Sequence, residues 1–172
     1  METTYQKVRR MFLHIFAAYG GAFLWVTFFV TVMRLMMAPS AIGTNFPPLS
    51  ASLTLLATYF PELAAKVKAD PALMLFMAIF FAPVTEEVLF RMLPLSFAQK
   101  HNDPRFTRAM VIAVCGIVFG LAHGNPMNVF IQGVVGLLLG WLYLKNDESQ
   151  MTSYLSCVFV HAAYNFTVMM AG

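Results

Sequence analysis

Glu86 and Glu87 stand side by side in APVTEEVLFRMLP, residues 82–94, and Arg91 follows four residues after the second acid. His123 closes the run FGLAH, and His161 and Asn165 lie four apart in HAAYN. All of them occupy strongly apolar sequence. A charge held at mid-membrane depth costs about 2.5–3.5 kcal/mol for Asp, Lys or Arg even on the most lenient scale. Residues of this kind persist there when they pair, line a wet cavity or do chemistry. Helical spacing of four puts side chains on one face, a turn apart. Glu87 is therefore placed to neutralise Arg91, and His161 and Asn165 are placed to face a common cavity. Glu86 lies about 100° further round the helix and is left to act. Pro83, three residues before it, removes a helix hydrogen bond and opens the backbone ahead of the acid.

A carboxylate, two imidazoles and an amide suit water activation and oxyanion stabilisation. Glu86 in apolar surroundings serves as a general base, and His123 is placed to share the water. His161 and Asn165 can donate to a developing oxyanion. That set hydrolyses amides. No GxSxG is present, and Ser96, Ser153 and Ser156 lack a context that marks a nucleophile. Zinc is the competing use of two His and one or two Glu. HExxH is absent, however, and the candidate ligands come from three different helices, so no cofactor is expected.

The elements that must hold these groups follow from composition. Of 172 residues, 59% are hydrophobic and 11% charged, against roughly 45–50% and about 25% in a soluble domain. Too few charges remain for a water-facing surface, so an all-α, polytopic transmembrane bundle in a lipid bilayer is expected. The net charge of +3 lies mainly at loop ends, which fits membrane orientation and not nucleic-acid binding. A span needs about 20 apolar residues. Residues 11–37 form an N-terminal anchor, with Arg34 snorkelling near its end; 38–48 form a loop. The stretch 49–67 reads as an interfacial helix, a re-entrant segment or a sixth span. Residues 72–98, 109–123, 127–144 and 151–170 complete five spans. Between 123 and 127, Gly124 is placed as a C-terminal cap, Asn125 as the next N-cap and Pro126 as the first helical residue.

One domain is expected, with residues 1–70 as anchor and variable segment and 71–172 as the core. Gly116/Gly120 and Gly136/Gly140 each form GxxxG, read as close helix packing. Cys115 and Cys157 read as packing residues, and His14 and His101 as outside any site. Depth supports a single buried polar active site. At 1.5 Å per helical residue, Glu86 lies roughly 18 Å from the basic loop near 98–108, His123 roughly 22 Å, and His161 roughly 16 Å from KNDESQ. Three separate spans thus put their ionisable residues in one layer.

EEVLFR, FGLAH and HAAYN also fit EExxxR, FxxxH and HxxxN, in order. In these three motifs the chain resembles the CPBP family (CAAX protease and bacteriocin-processing, also called Abi), which includes the type II CAAX prenyl endopeptidases. The resemblance covers about residues 73–170. It implies an intramembrane glutamic endopeptidase acting on a peptide or membrane-anchored protein. Carried over by position, Glu86 resembles the catalytic glutamate and His123 its partner on the water. His161 and Asn165 resemble the oxyanion-hole pair, and Glu87 and Arg91 the supporting ion pair. The short chain is similar to compact prokaryotic members, so an inner (cytoplasmic) membrane is expected. Such members are linked to processing of secreted peptides, self-immunity to bacteriocins or cleavage of C-terminal sorting tails, and the short length counts against a CAAX substrate. A non-catalytic membrane immunity or binding protein is the alternative, in which the polar layer only packs helices; its phenotype survives joint loss of Glu86 and His123. A proton-coupled transporter is disfavoured by the few helices and the absence of an inverted repeat.

With five spans, the basic N-terminus and the loop at 100–108 are both cytoplasmic. Single cysteines replacing Asp103 and Asp147, in a chain whose own two cysteines are changed to serine, should therefore resist a membrane-impermeant maleimide applied to intact cells. Labelling from outside alone identifies the six-span arrangement.

Overall fold

The computed structural model describes residues 3–36, 58–98, 104–124, 126–145 and 149–171. Among them there is helix and turn but no strand. Helix α1 spans Thr4–Met36, α2 Pro61–Ala69, α3 Pro71–Ala98, α4 Pro104–Ala122, α5 Val129–Lys145 and α6 Gln150–Ala171. Thr4–Val32 and α3 are long and apolar enough to cross a membrane, and Phe106–Ala122 and α5 are shorter apolar helices. At 1.5 Å per residue the 22 residues of α6 reach about 33 Å. The expected loop at 38–48, the first part of the 49–67 stretch, Asn125 and His101 lie outside the described residues, as does the Arg34 side chain.

Local chemistry moves several helix ends. Helix α1 begins at Thr4, not near Met11, because Thr3 and Gln6 form a reciprocal cap. The Gln6 N–H donates to Thr3 Oγ1 (3.2 Å), and the Thr3 N–H to Gln6 Oε1 (2.8 Å). The break between α2 and α3 is set by Asp70-Pro71. Asp70 is extended, and its carboxylate accepts from the N–H groups of Ala72 (2.9 Å) and Leu73 (3.2 Å). Helix α4 ends at Ala122, where Gly124 takes the left-handed conformation (φ 82°) that its missing Cβ permits. Pro126 does not begin α5 as expected. Residues 126 and 127 form a turn, because Asn128 folds back and donates through Nδ2 to the His123 carbonyl (3.0 Å).

Helix α5 is central and packs against α1, α4 and α6; α3 packs on α4 and α6. Ala18 and Ala22 bring α1 close to a core that includes Val135, Leu139, Cys157 and Val160. Side chains tie α1 down at two levels: Tyr19 Oη and Thr167 Oγ1 share a hydrogen bond (2.7 Å), and the Trp25 indole donates to the Phe130 carbonyl (2.6 Å). The outer faces carry exposed Phe16, Leu24, Phe80, Phe97, Phe159 and Met170. Cys157 is buried and donates to the Leu139 carbonyl, and both cysteines are free thiols.

The two GxxxG pairs fall on the α4–α5 contact. A methyl group on Gly116 would stand 2.8 Å from Leu137 Cδ2, one on Gly140 2.9 Å from Ile112 Cγ2, and one on Gly120 only 2.5 Å from the Val129 Cα. Gly120 meets backbone, which cannot swing aside. Gly120→Ala should therefore destabilise the protein by about 1–3 kcal/mol through overpacking, seen as a lower melting temperature in detergent. Gly20→Ala, with nothing within 4 Å, should leave it unchanged or slightly raised.

Candidate active site

The acidic pair sits on an irregular helix. Two π-helical turns, Met77–Phe81 and Val88–Met92, bracket the α-helical turn Ala82–Glu87. The first lies directly before Pro83, whose ring crowds the carbonyl four residues back and which has no N–H to offer. The helix widens there. Such single π turns within α-helices are frequent at functional sites. Glu86, Glu87 and Arg91 are all buried, at 1%, 0% and 1% exposure.

Glu87 Oε1 is the hub. Arg91 Nη1 donates to it at 3.0 Å from one turn along α3, and His161 Nδ1 donates to the same oxygen at 2.8 Å from α6. Because Nδ1 carries a proton to Glu87, Nε2 of His161 turns toward the other acid, 3.7 Å from Glu86 Oε2. The imidazole thus stands between two carboxylates. Glu87 and Arg91 neutralise one another.

Phe119 is the second organising residue, and it is fully buried. The Arg91 guanidinium lies over its ring, 4.5 Å from the centroid, a cation–π contact. His123 and His161 both meet that ring edge-on, at 4.7 and 5.7 Å between centroids, and Phe90 does so at 5.3 Å. His123 Nδ1 donates to the Phe119 carbonyl (2.7 Å), which can only accept. In the neutral ring, Nε2 is then an acceptor. Glu86 and His161 are close enough to act on His123 electrostatically. Gly136 makes room for this arrangement: a methyl group there would meet Arg91 Nη2 at 2.8 Å and Phe119 Cδ1 at 3.1 Å. Its GxxxG therefore packs against the charged group as well as against α4.

Glu86, Glu87, Arg91, His123 and His161 thus come together from α3, the turn that follows α4, and α6. Asn165 does not join them. Its Nδ2 donates to the Ala78 carbonyl at 2.8 Å, on the Pro83-widened turn. The Glu87–His161 bond was not expected from the sequence, since i,i+4 spacing speaks only for pairs within one helix. Nor was Phe119's role, although FxxxH contained the residue. Tyr154, whose hydroxyl donates to the Val84 carbonyl (3.0 Å), carries no sequence signal at all. His14 stands apart, edge-on to Trp141, and Ser96 Oγ donates to the Met92 carbonyl. Among the described residues no group of three or more His, Cys, Asp or Glu is arranged to hold a metal ion.

Residues 68–167 match the family described as type II CAAX prenyl endopeptidase, Rce1-like. The match takes in α3, α4, α5 and most of α6, and every residue of the cluster. No curated protein and no solved structure matches the chain. The family and the apolar helices together mark an integral membrane protein.

Arg91 combines a charge for Glu87 with a planar contact to Phe119. Removing one partner of a buried ion pair costs on the order of 3–5 kcal/mol, so Arg91→Leu should lower the melting temperature most. Arg91→Lys retains the charge but neither the fork nor the stacking, and should fall between Leu and wild type. Equal stability of Lys and wild type would show that charge alone matters.

Proposed function

The chain belongs to the Rce1-like family of type II CAAX prenyl endopeptidases, and from that membership we propose that it is an intramembrane endopeptidase using Glu86 to activate water. The observation that carries this reading is the convergence of three helices. Glu86 lies 3.7 Å from His161 Nε2, and His123 stands against the same Phe119 ring. A five-span bundle would hold this layer at membrane depth, where a substrate's C-terminal or membrane-embedded segment can reach it.

The geometry supports the following reaction. Water bound between Glu86 and His123 gives one proton to the Glu86 carboxylate as its oxygen attacks the scissile carbonyl carbon. The Nε2 lone pair of His123 accepts the water's other hydrogen and aims the attacking oxygen. Negative charge gathers on the former carbonyl oxygen, and His161 donates to it through Nε2–H while Nδ1–H remains on Glu87. With His161 doubly protonated the buried group is neutral before attack. When Glu86 takes the proton it gains one positive charge, which the oxyanion offsets. Glu86 then passes the proton to the departing nitrogen, the C–N bond breaks, and an acid and an amine leave. Glu87 and Arg91 act by holding His161. Asn165 joins the oxyanion site only by leaving the Ala78 carbonyl.

The full chain reconstituted in liposomes should cleave a fluorogenic peptide bearing a prenylated cysteine near its C-terminus, and cells carrying Glu86→Gln should accumulate an uncleaved membrane substrate that wild-type cells process. Glu86→Gln should lower the rate by at least about 10²-fold, the range for a lost general base, with the melting temperature retained. Wild-type cleavage by a well-folded Glu86→Gln protein overturns the reading.

A further inference from the structure

Asn165 spends its amide on a backbone carbonyl, and α3 explains why one is open. In the π-helical turn Met77–Phe81, the Ala82 N–H donates to the Met77 carbonyl five residues back. The next donor in that register, due at Ala78, is residue 83, which is proline. In α-helical register the partner of residue 83 is Ile79, whose carbonyl the proline ring crowds. The Ala78 carbonyl is thus left without its backbone partner, a loss that costs most where water is excluded. Asn165 Nδ2 meets its oxygen at 2.8 Å.

The same face of α6 grips α3 at three levels. Tyr154, His161 and Asn165 are spaced by seven and four residues, so they project from one side. Tyr154 donates to the Val84 carbonyl, His161 to Glu87, and Asn165 to Ala78. Glu86 lies on the turn between the outer two contacts. We infer that Asn165 is a positioning residue: its amide replaces the N–H that Pro83 lacks, locks the widened turn, and so fixes where the Glu86 carboxylate stands. Its part in the reaction rests on the endopeptidase reading; its part in the helix does not.

A double-mutant cycle tests this on the full chain. Pro83→Ala restores a donor: either residue 83 reaches Ala78 in the wide register, or the turn tightens and Ala82 does. Asn165→Ala alone should lower the melting temperature by roughly 2–10 °C, as the loss of a half-buried hydrogen bond between helices does. In the Pro83→Ala background less than half of that drop should remain. An equal drop in both backgrounds overturns the inference, as does an Asn165→Ala protein whose failed accumulation Pro83→Ala does not restore. Trp25→Phe, which removes the indole donor to Phe130, is the control; if Pro83→Ala rescues it equally, the effect is general and the inference fails. Where cleavage is measured, Asn165→Ala should reduce kcat and leave KM little changed, and Pro83→Ala should shrink that loss at least fivefold. An unshrunk kcat loss assigns Asn165 to the oxyanion and overturns its positioning role. A wild-type chain without cleavage defeats the endopeptidase reading alone, since the melting cycle still reports on the helix.

Discussion

One buried oxygen, Glu87 Oε1, accepts both Arg91 and His161, and the site depends on it. A carboxylate with no exposure would be intolerable alone in this setting, and a guanidinium equally so. Together they are neutral. The second lone pair of the same oxygen then sets the tautomer and direction of an imidazole from another helix. That single acceptor converts a local charge pair into a link between α3 and α6, and it turns His161 Nε2 toward Glu86. Phe119 supports the pair from α4: its ring carries the guanidinium on one face and two imidazoles at its edges.

The second constraint is backbone satisfaction without water. Two π-helical turns and a proline interrupt the ladder of α3 around the acidic pair. Side chains from other helices supply donors at the interrupted stretch. Asn165 reaches Ala78 and Tyr154 reaches Val84, while Trp25 reaches Phe130 within Val129–Gly133, the π-helical turn that opens α5. Each such bond joins two helices, so the irregularities that shape the site also help to hold the bundle. The glycines of α4 and α5 serve the same end by allowing backbones to approach closely, and Gly136 leaves space for the Arg91 guanidinium.

Much of this was legible in the chain. The i,i+4 rule identified the Glu87–Arg91 pair, and counting residues from polar loops put Glu86, His123 and His161 in one layer. Both arguments depend only on helix geometry, which is the same in any bundle. The same rule gave His161 and Asn165 a shared face, and they share it. It did not say what that face meets. His161 meets the acids and Asn165 meets a carbonyl a turn away, a split that depends on where Pro83 widens the opposite helix. Helix ends shifted for a related reason: the Thr3–Gln6 cap and the fold-back of Asn128 are hydrogen bonds that hydropathy does not register.

From the sequence alone came the apolar helical class, the acidic pair with its arginine and the three motifs that resemble a protease family. These rest on composition and on spacing within single helices. Only the tertiary structure decided that Glu87 accepts from two donors at one oxygen, that Phe119 organises the imidazoles, and that Asn165 closes a gap in α3. Each of those contacts crosses between helices, and the rotation of one helix against another is set by packing, which no single segment encodes.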